Sequence, residues 1–213
     1  MPSYSGPPMD DPSRQRIIGL TGGIATGKST VSDYLATAHQ LPVLDADIYA
    51  REAVAIGSPI LAALGQRYGS AIFLADGALN RQHLGSIIFS QPAEKQWVEQ
   101  QIHPFVRQRF TQVSSSYPTT QTLVYAIPLL FEANLTHLVS EIWVVVCGQT
   151  QQRGRLMARN NLSPVEAENR IKNQLSLDIK AAQADRILDN SSDRAALYRQ
   201  IDKALFSGAP SKP

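Results

Sequence analysis

One stretch constrains the fold of this chain more than any other, because it fits the pattern G-x-x-x-x-G-K-[ST] directly after an apolar run at 17–20. It reads Gly22-Gly23-Ile24-Ala25-Thr26-Gly27-Lys28-Ser29-Thr30. Its glycines let the backbone turn tightly and bring N–H groups against a polyphosphate. A helix opening near Lys28 would add its positive N-terminal end, while the Ser29 hydroxyl would be placed to bind Mg²⁺. The stretch therefore predicts a phosphate-binding loop whose lysine reaches the β/γ oxygens.

The alternative interpretation is a Gly/Thr-rich turn with an incidental lysine. The sequence on both sides disfavours it. The run from Arg16 to Thr21 is typical of a central strand buried on both faces. After the loop, apolar residues such as Val31 and Leu35 recur at helical spacing and predict a helix to about His39.

Length and composition limit the remaining possibilities. A chain of 213 residues can form one sizeable core, or one core and a small subdomain. Its net charge of +2 provides no overall field that could hold nucleic acid, and no segment is long and apolar enough to span a membrane. The single cysteine, Cys147, cannot form an internal disulfide, which suits a reducing cytoplasm. We therefore predict a soluble cytoplasmic protein that binds neither nucleic acid nor membranes.

Two carboxylates follow the second predicted strand, Leu41-Pro42-Val43-Leu44, in the sequence Asp45-Ala46-Asp47. Ligands bind at the carboxyl ends of strands in parallel α/β sheets, so this pair is a candidate for chemistry beside the phosphate-binding loop. A simpler interpretation also fits, in which Asp47 only caps the helix that follows.

The segment between Gly57 and Tyr117 has short helical patterns and only one brief β-like run, at 71–74. Such a helical insertion on a parallel sheet is a natural acceptor-binding subdomain. A helix is predicted to begin at Leu79-Asn80-Arg81. His103 precedes Pro104, which should bend or end its helix and present the histidine. From the local sequence, His103 could equally be a structural residue.

The β pattern returns at 122–127 and runs into Pro128-Leu129-Leu130-Phe131-Glu132. A second magnesium-side carboxylate is expected here in a phosphate-loop enzyme, but Ala126 stands where an acid would fit. Binding of the metal would then fall to Ser29, to water and to Asp45, Asp47 or Glu132.

A strand over 141–147 leads into a helix that carries Arg153, Arg155 and Arg159. These arginines could be a solvated helix face. However, Arg155 and Arg159 lie four residues apart, before the polar turn 160–161 and a capped helix start at Ser163. A helical lid with arginines would neutralise charge and exclude water during phosphoryl transfer. The chain then predicts a helix over 176–185, a short strand over 185–190 and a last helix capped by Ser191 or Ser192.

Taken together, these pieces resemble the dephospho-CoA kinase family over about residues 16–205. The resemblance is carried by the following elements in order: the phosphate-binding loop, Asp45-Ala46-Asp47, Gly57-Ser58-Pro59, Asp76-Gly77 with Arg81, His103-Pro104, Pro128 to Glu132, Arg155 to Arg159, Gln174, Ala184-Asp185 and Asp189-Asn190. One departure is Ala25-Thr26, where the family often has Gly-Ser.

The resemblance implies transfer of phosphate from ATP to the ribose 3′-hydroxyl of dephospho-CoA, the last step of coenzyme A synthesis, with ATP and Mg²⁺ as cofactors. Asp47 would orient and deprotonate the hydroxyl, and Asp45 would support the metal or the acceptor. Arg155 is the better candidate for the transition state, with Arg159 as a second lid arginine. A further set would lie near the acceptor: Arg81, His103 and Glu132.

The expected fold is a three-layer α/β/α core with a five-stranded parallel sheet, a helical acceptor-binding insertion and a helical lid. We divide the chain into a disordered leader (1–14), a core (15–56 and 119–206), an insertion (57–118), a lid (about 153–173) and a flexible tail (207–213). Two alternatives remain: another small-molecule kinase with a phosphate-binding loop, or an ATP-binding switch or scaffold protein. The oligomeric state is left open.

Overall fold

The computed structural model describes residues 15–207. The predicted leader lies outside these residues, as does the predicted tail from residue 208 onward. Within them the elements are, in chain order, β1 (Ile17–Gly22), α1 (Lys28–Ala38), β2 (Val43–Asp45), α2 (Ala46–Ala53), α3 (Pro59–Tyr68), α4 (Arg81–Ser90), α5 (Pro92–Ser114), β3 (Leu123–Ala126), β4 (Glu141–Val146), α6 (Gln149–Asn160), α7 (Pro164–Lys172), α8 (Leu177–Ala182), β5 (Arg186–Asp189) and α9 (Arg194–Phe206).

The chain divides into two compact units. Unit 1 contains the residues up to Leu44 and from Tyr117 onward, and unit 2 is Asp45–Ser116. The functional division into core, acceptor-binding insertion and lid stays a prediction. In the part of the chain that the structure describes, no helix is both long and apolar enough to cross a membrane.

The strands form one five-stranded parallel sheet in the order β2-β3-β1-β4-β5, which confirms the predicted α/β fold. β1 lies at the centre, where it pairs in parallel with β3 (Ile17 with Leu123) and with β4 (Ile18 with Glu141). A strand with neighbours on both edges and helices around the sheet is buried on both faces, which explains why β1 and β4 are nearly continuous apolar runs. The loop after β1 therefore begins at the centre of the sheet.

The core of unit 1 joins the sheet to α1 and α9. Val31 and Leu35 of α1, whose spacing predicted the helix, are completely buried in this cluster. Trp143 of β4 is equally buried, and Leu197 and Ile201 of α9 pack into the same core. Full burial of each such side chain stabilises the fold by about 1.5–3 kcal/mol, so α1 is held firmly beneath the loop that precedes it.

Unit 2 consists of α2 to α5 around a separate apolar cluster that includes Leu64, Ile72 and Val98. The β-like run at 71–74 forms a 3₁₀ turn over Ser70–Ile72, and Phe73 makes only an isolated antiparallel bridge to Leu79. Pro104 does not end its helix, since it lies inside α5. Burial of residues on both sides of the proline keeps the helix continuous, namely Val98, Val106 and Phe110.

One helix start differs in detail from the sequence prediction. The last helix is capped by Asp193, whose carboxylate accepts from the Ala196 N–H at 2.8 Å, and not by Ser191 or Ser192. Ser191 is used elsewhere, because its hydroxyl accepts from the Gly148 N–H at 3.0 Å.

Candidate functional site

The predicted phosphate-binding loop connects the end of β1 to the start of α1. Gly27 is the N-cap residue of α1, with φ 103° and ψ 26°, and no side chain caps the helix. The first turn of an α-helix leaves backbone N–H groups without acceptors inside the helix, and these carry the positive end of its dipole. An uncapped helix start of this kind is suited to an anion.

The loop is compact because Thr26 closes a turn onto Gly23. The buried Thr26 donates from its hydroxyl to the Gly23 carbonyl at 2.9 Å and from its N–H to the same oxygen at 3.3 Å. Ala25, where the family often has glycine, has a positive φ of 61°. A side chain at Gly22 would place its Cβ 2.6 Å from the Val145 carbonyl oxygen, so only glycine fits there.

Three amide side chains from outside the loop bind its backbone, and the sequence analysis assigned none of them this role. Gln174 accepts from the Ile24 N–H at 2.8 Å, and Gln152 donates to the Ile24 carbonyl at 2.9 Å. Asn190 donates to the Thr26 carbonyl at 2.8 Å. Gln174 and Asn190 belong to the resemblance pattern, but nothing in the local sequence indicated where their side chains bind.

A buried lysine donates a hydrogen bond to the first residue of the loop. Lys180 of α8 is completely buried, donates from Nζ to the Gly22 carbonyl at 3.2 Å and lies 2.8 Å from Oε1 of Glu132. The same oxygen of Glu132 accepts from the Leu175 N–H at 3.1 Å. The carboxylate predicted to act near the acceptor therefore links the loop to the segment after α7. Lys180 was not predicted, because a single lysine in a short helix normally lies on a solvated face.

The two candidate lid arginines have different surroundings, although they lie on one face of α6. Arg155 is half-buried and donates from Nη2 to the Asn190 carbonyl at 3.0 Å. Its Nη1 is buried, and among residues 15–207 it has no hydrogen-bond partner. Arg159 is exposed and donates to the neighbouring Asn160 side chain at 2.9 Å. Arg155 thus has one donor without a partner among the described residues, and its hydrogen bond from Nη2 is to a backbone carbonyl.

Arg155 also lies near the single cysteine. Burial is the main influence on Cys147 and raises the pKa of its thiol, while the neighbouring Arg155 charge acts in the opposite direction. The thiol is therefore protonated and unreactive at neutral pH, as expected for a buried cysteine.

Asp45 and Asp47 lie at the start of unit 2. Asp45 is the N-cap of α2, since its Oδ1 accepts from the Asp47 N–H at 2.7 Å. The capping role considered for Asp47 therefore belongs to Asp45, and Asp47 is an exposed residue in the first turn. That both aspartates join the phosphate-binding loop in one site stays a prediction.

The other predicted acceptor-side residues of unit 2 lie on two helices. Arg81 is the exposed first residue of α4, whose start is capped by Asn80. His103 is half-buried in α5, and burial lowers its pKa from the usual 6.5. The charge of Glu99 raises this pKa by a smaller amount, and the charge of Arg107 lowers it. His103 is therefore a neutral imidazole at neutral pH. Arg81 and His103 make no hydrogen bond to each other.

A metal site made entirely from protein ligands is not found among the residues that the structure covers, because no three His, Cys, Asp or Glu side chains cluster suitably. Mg²⁺ does not need such a cluster in nucleotide sites, where it is bound by one or two protein oxygens, phosphates and water. Ser29 is exposed in the first turn of α1, and its role as a magnesium ligand stays a prediction.

Comparison with known proteins gives a consistent result. The family model described as "Dephospho-CoA kinase" matches residues 16–196. The chain is 58% identical to a dephospho-CoA kinase from a Nostoc species over 191 residues, which cover 90% of this chain and 97% of that protein. It is 55% identical to one from a Synechocystis species over 193 residues, covering 91% and 96%.

Two solved structures have a fold similar to that of this chain. The protein TT1252 from Thermus thermophilus superposes with a TM-score of 0.81 at 29% identity, covering 90% of this chain and 96% of that one. Dephospho-CoA kinase from Campylobacter jejuni has the same fold, with a TM-score of 0.65 at 23% identity over 89% and 94% of the two chains.

Proposed function

The chain belongs to the dephospho-CoA kinase family, and from this premise we propose which of its residues carry out the reaction. The enzyme phosphorylates the ribose 3′-hydroxyl of dephospho-CoA at the expense of a nucleoside triphosphate and so completes coenzyme A. Phosphoryl transfer depends mainly on positioning and on stabilising charge, so each residue is assigned a role of one of these kinds.

ATP is the proposed donor, with its phosphates in the loop from Gly22 to Thr30. The observation that carries this assignment is the start of α1: Gly27 is left-handed, and no side chain makes a capping hydrogen bond at the helix N-terminus. Lys28, the first helical residue, would pair with the β/γ oxygens. The backbone N–H groups of the loop would surround the same phosphates.

Mg²⁺ is the proposed metal cofactor, with Ser29 and Asp45 as its protein ligands. A bound Mg²⁺ would supply positive charge that offsets the negative charge developing on the phosphates during transfer. One hydroxyl and one carboxylate suit this hard cation, which retains water and takes phosphate oxygens. Asp45 Oδ1 accepts from the Asp47 N–H, which fixes this carboxylate at the start of α2.

Asp47 is the proposed base that orients the acceptor hydroxyl and removes its proton. Its side chain is exposed in the first turn of α2, whose cap is Asp45. Arg155 would stabilise the transferring phosphoryl group with its unpartnered Nη1, and Arg159 would contribute from the outer part of the same helix.

The acceptor would contact Arg81 and His103 in unit 2 and Glu132 in unit 1. Arg81 provides an exposed positive charge for a phosphate of dephospho-CoA. His103, neutral at pH 7, could accept or donate a hydrogen bond without adding charge. Glu132 is already held by Lys180, so it would act from a fixed position.

A cytoplasmic location is also proposed. Cys147 is buried and free, and one cysteine cannot form an internal disulfide. This cysteine usage suits a reducing compartment.

The test is a coupled ADP-release assay with Mg·ATP, with and without dephospho-CoA, in which the product is identified by mass. We expect ADP release to depend on dephospho-CoA and the product to be coenzyme A. Asp47→Asn should lower kcat far more than nucleotide affinity, while the exposed control Asp33→Asn should change neither. If a folded, ATP-binding sample releases no more ADP with dephospho-CoA, the assignment of the acceptor is wrong. An unchanged kcat for Asp47→Asn would remove the proposed base.

A further inference from the structure

We propose that Gln152 and Gln174 are positioning residues that clamp the Ile24 peptide from two sides and so hold the loop in the shape that receives phosphate. The clamp consists of the two hydrogen bonds at Ile24, from its N–H to Gln174 Oε1 at 2.8 Å and from Gln152 Nε2 to its carbonyl at 2.9 Å. The proposal rests on the proposed role of the loop in binding ATP.

One glutamine acts as a hydrogen-bond acceptor and the other as a donor. A backbone N–H can only donate and a backbone carbonyl can only accept, so the partners fix which atom of each side-chain amide is used. Gln174 needs an acceptor oxygen, and a carboxylate could replace it. Gln152 needs a donor N–H, which a carboxylate cannot provide.

The burial of Gln152 makes its bond costly to lose. Only 3% of Gln152 is exposed, so an unpaired amide or carbonyl there could not be fully rehydrated. The same amide favours a glycine at position 23, because a Cβ on Gly23 would lie 2.7 Å from Gln152 Nε2. The glycine and the glutamine therefore form one close-packed contact.

The clamp also joins the loop to both ends of the segment that carries the arginines. Gln152 lies in α6, one helical turn before Arg155, and Gln174 follows the end of α7. A change in the conformation of Ile24 must therefore move one end of this segment or break a bond to it. The two effects are linked. A ligand that holds the segment from α6 to Gln174 in its present position also stabilises the phosphate-binding conformation of the loop, and a nucleotide bound in the loop stabilises that position of the segment.

The test compares four variants of the full chain: Gln174→Glu, Gln174→Met, Gln152→Glu and Gln152→Met. Gln174→Glu should keep kcat/KM for ATP within about threefold of the parent, whereas Gln174→Met should lower it by between about fivefold and a hundredfold. At position 152 both replacements should give the larger loss, and glutamate should be no better than methionine. The two glutamate variants add the same charge, so the difference between them isolates the direction of the hydrogen bond.

A second measurement separates positioning from general stability. Amide hydrogen exchange at Ile24 should be slow in the parent and in Gln174→Glu, and at least tenfold faster in Gln174→Met at a matched unfolding midpoint. If the position 152 variants do not fold, the Gln174 pair alone decides the result.

The proposal is overturned if both glutamate variants behave alike, or if Gln174→Met leaves ATP kinetics and Ile24 exchange unchanged. Failure of the proposed function would look different. If the parent protein binds ATP but does not turn over dephospho-CoA, the acceptor assignment fails, while the dissociation constants of the four variants for a fluorescent ATP analogue still test the clamp.

Discussion

Replacing Lys180 by methionine should destabilise unit 1 by about 3 kcal/mol, because it leaves the Glu132 carboxylate without its counter-charge. Breaking a buried ion pair from one side typically costs about 3–5 kcal/mol. The lower end applies here, since Lys180 is completely buried but 20% of the Glu132 side chain is exposed and can be rehydrated.

Removing the second charge should restore most of that stability. In Lys180→Met/Glu132→Gln no unpaired charge remains, and the glutamine oxygen can still accept from the Leu175 N–H. The remaining cost is the lost hydrogen bond to the Gly22 carbonyl, about 1 kcal/mol. The double variant should therefore be about 2 kcal/mol more stable than Lys180→Met alone.

Urea unfolding, monitored by tryptophan fluorescence, measures the free energy of unfolding of each variant. The chain has two tryptophans, Trp97 in unit 2 and Trp143 in the core of unit 1, so a Trp97→Phe background leaves a reporter for unit 1 alone. Lys172→Met is the matched control, because its 70% exposed side chain makes only a long ion pair worth less than about 0.5 kcal/mol. Two results would refute the reasoning. One is a loss of unfolding free energy for Lys180→Met that is no larger than for Lys172→Met, and the other is a double variant that is no more stable than Lys180→Met.

Three further predictions follow from the loop and from unit 2. Lys28→Ala should reduce turnover below detection with an unchanged circular dichroism spectrum, and a fully active variant would contradict the phosphate-loop assignment. Gly27→Ala should cost about 2–3 kcal/mol in urea unfolding, because φ is 103° there and the new Cβ would displace the Asn190 amide. Since the pKa of His103 lies below 6.5 in the folded state, the unfolded chain binds the extra proton first, and stability should fall as pH drops below about 6.5. His103→Gln should show a smaller fall, and an identical pH dependence would remove His103 as its source.

Much of the fold was predictable because its signals are local. The apolar runs of β1 and β4 and the spacing in α1 depend only on burial within each element, and the structure has all three elements where the sequence placed them. Details that depend on packing were not predictable. The run at 71–74 lacks a partner strand and forms a 3₁₀ turn, while Pro104 is tolerated inside α5, where buried residues lie both before and after it in the chain.

The residues of the candidate site show the same contrast between local and long-range signals. The phosphate-binding loop is recognisable because its residues are consecutive. Its supports come from far along the chain: Gln152 binds a residue 128 positions away and Lys180 one 158 positions away. Gln152 lies in the polar helix α6 and Lys180 is the single basic residue of the short helix α8, and a glutamine or lysine in a surface helix normally faces water. Only the folded arrangement shows that these two side chains are buried against the loop.

The order of strands also has a consequence for biosynthesis. Of the five strands in the described residues, β1 is synthesised first and occupies the centre of the sheet, yet its neighbours begin at Leu123 and Glu141. Until both have been translated, this apolar strand has two open edges and cannot take its final pairing. Such long-range parallel pairing is slow and leaves nascent chains open to aggregation. We therefore expect refolding from urea to be rate-limited by closure of β3 and β4 on β1, and nascent chains halted before β4 to need chaperones to stay unaggregated.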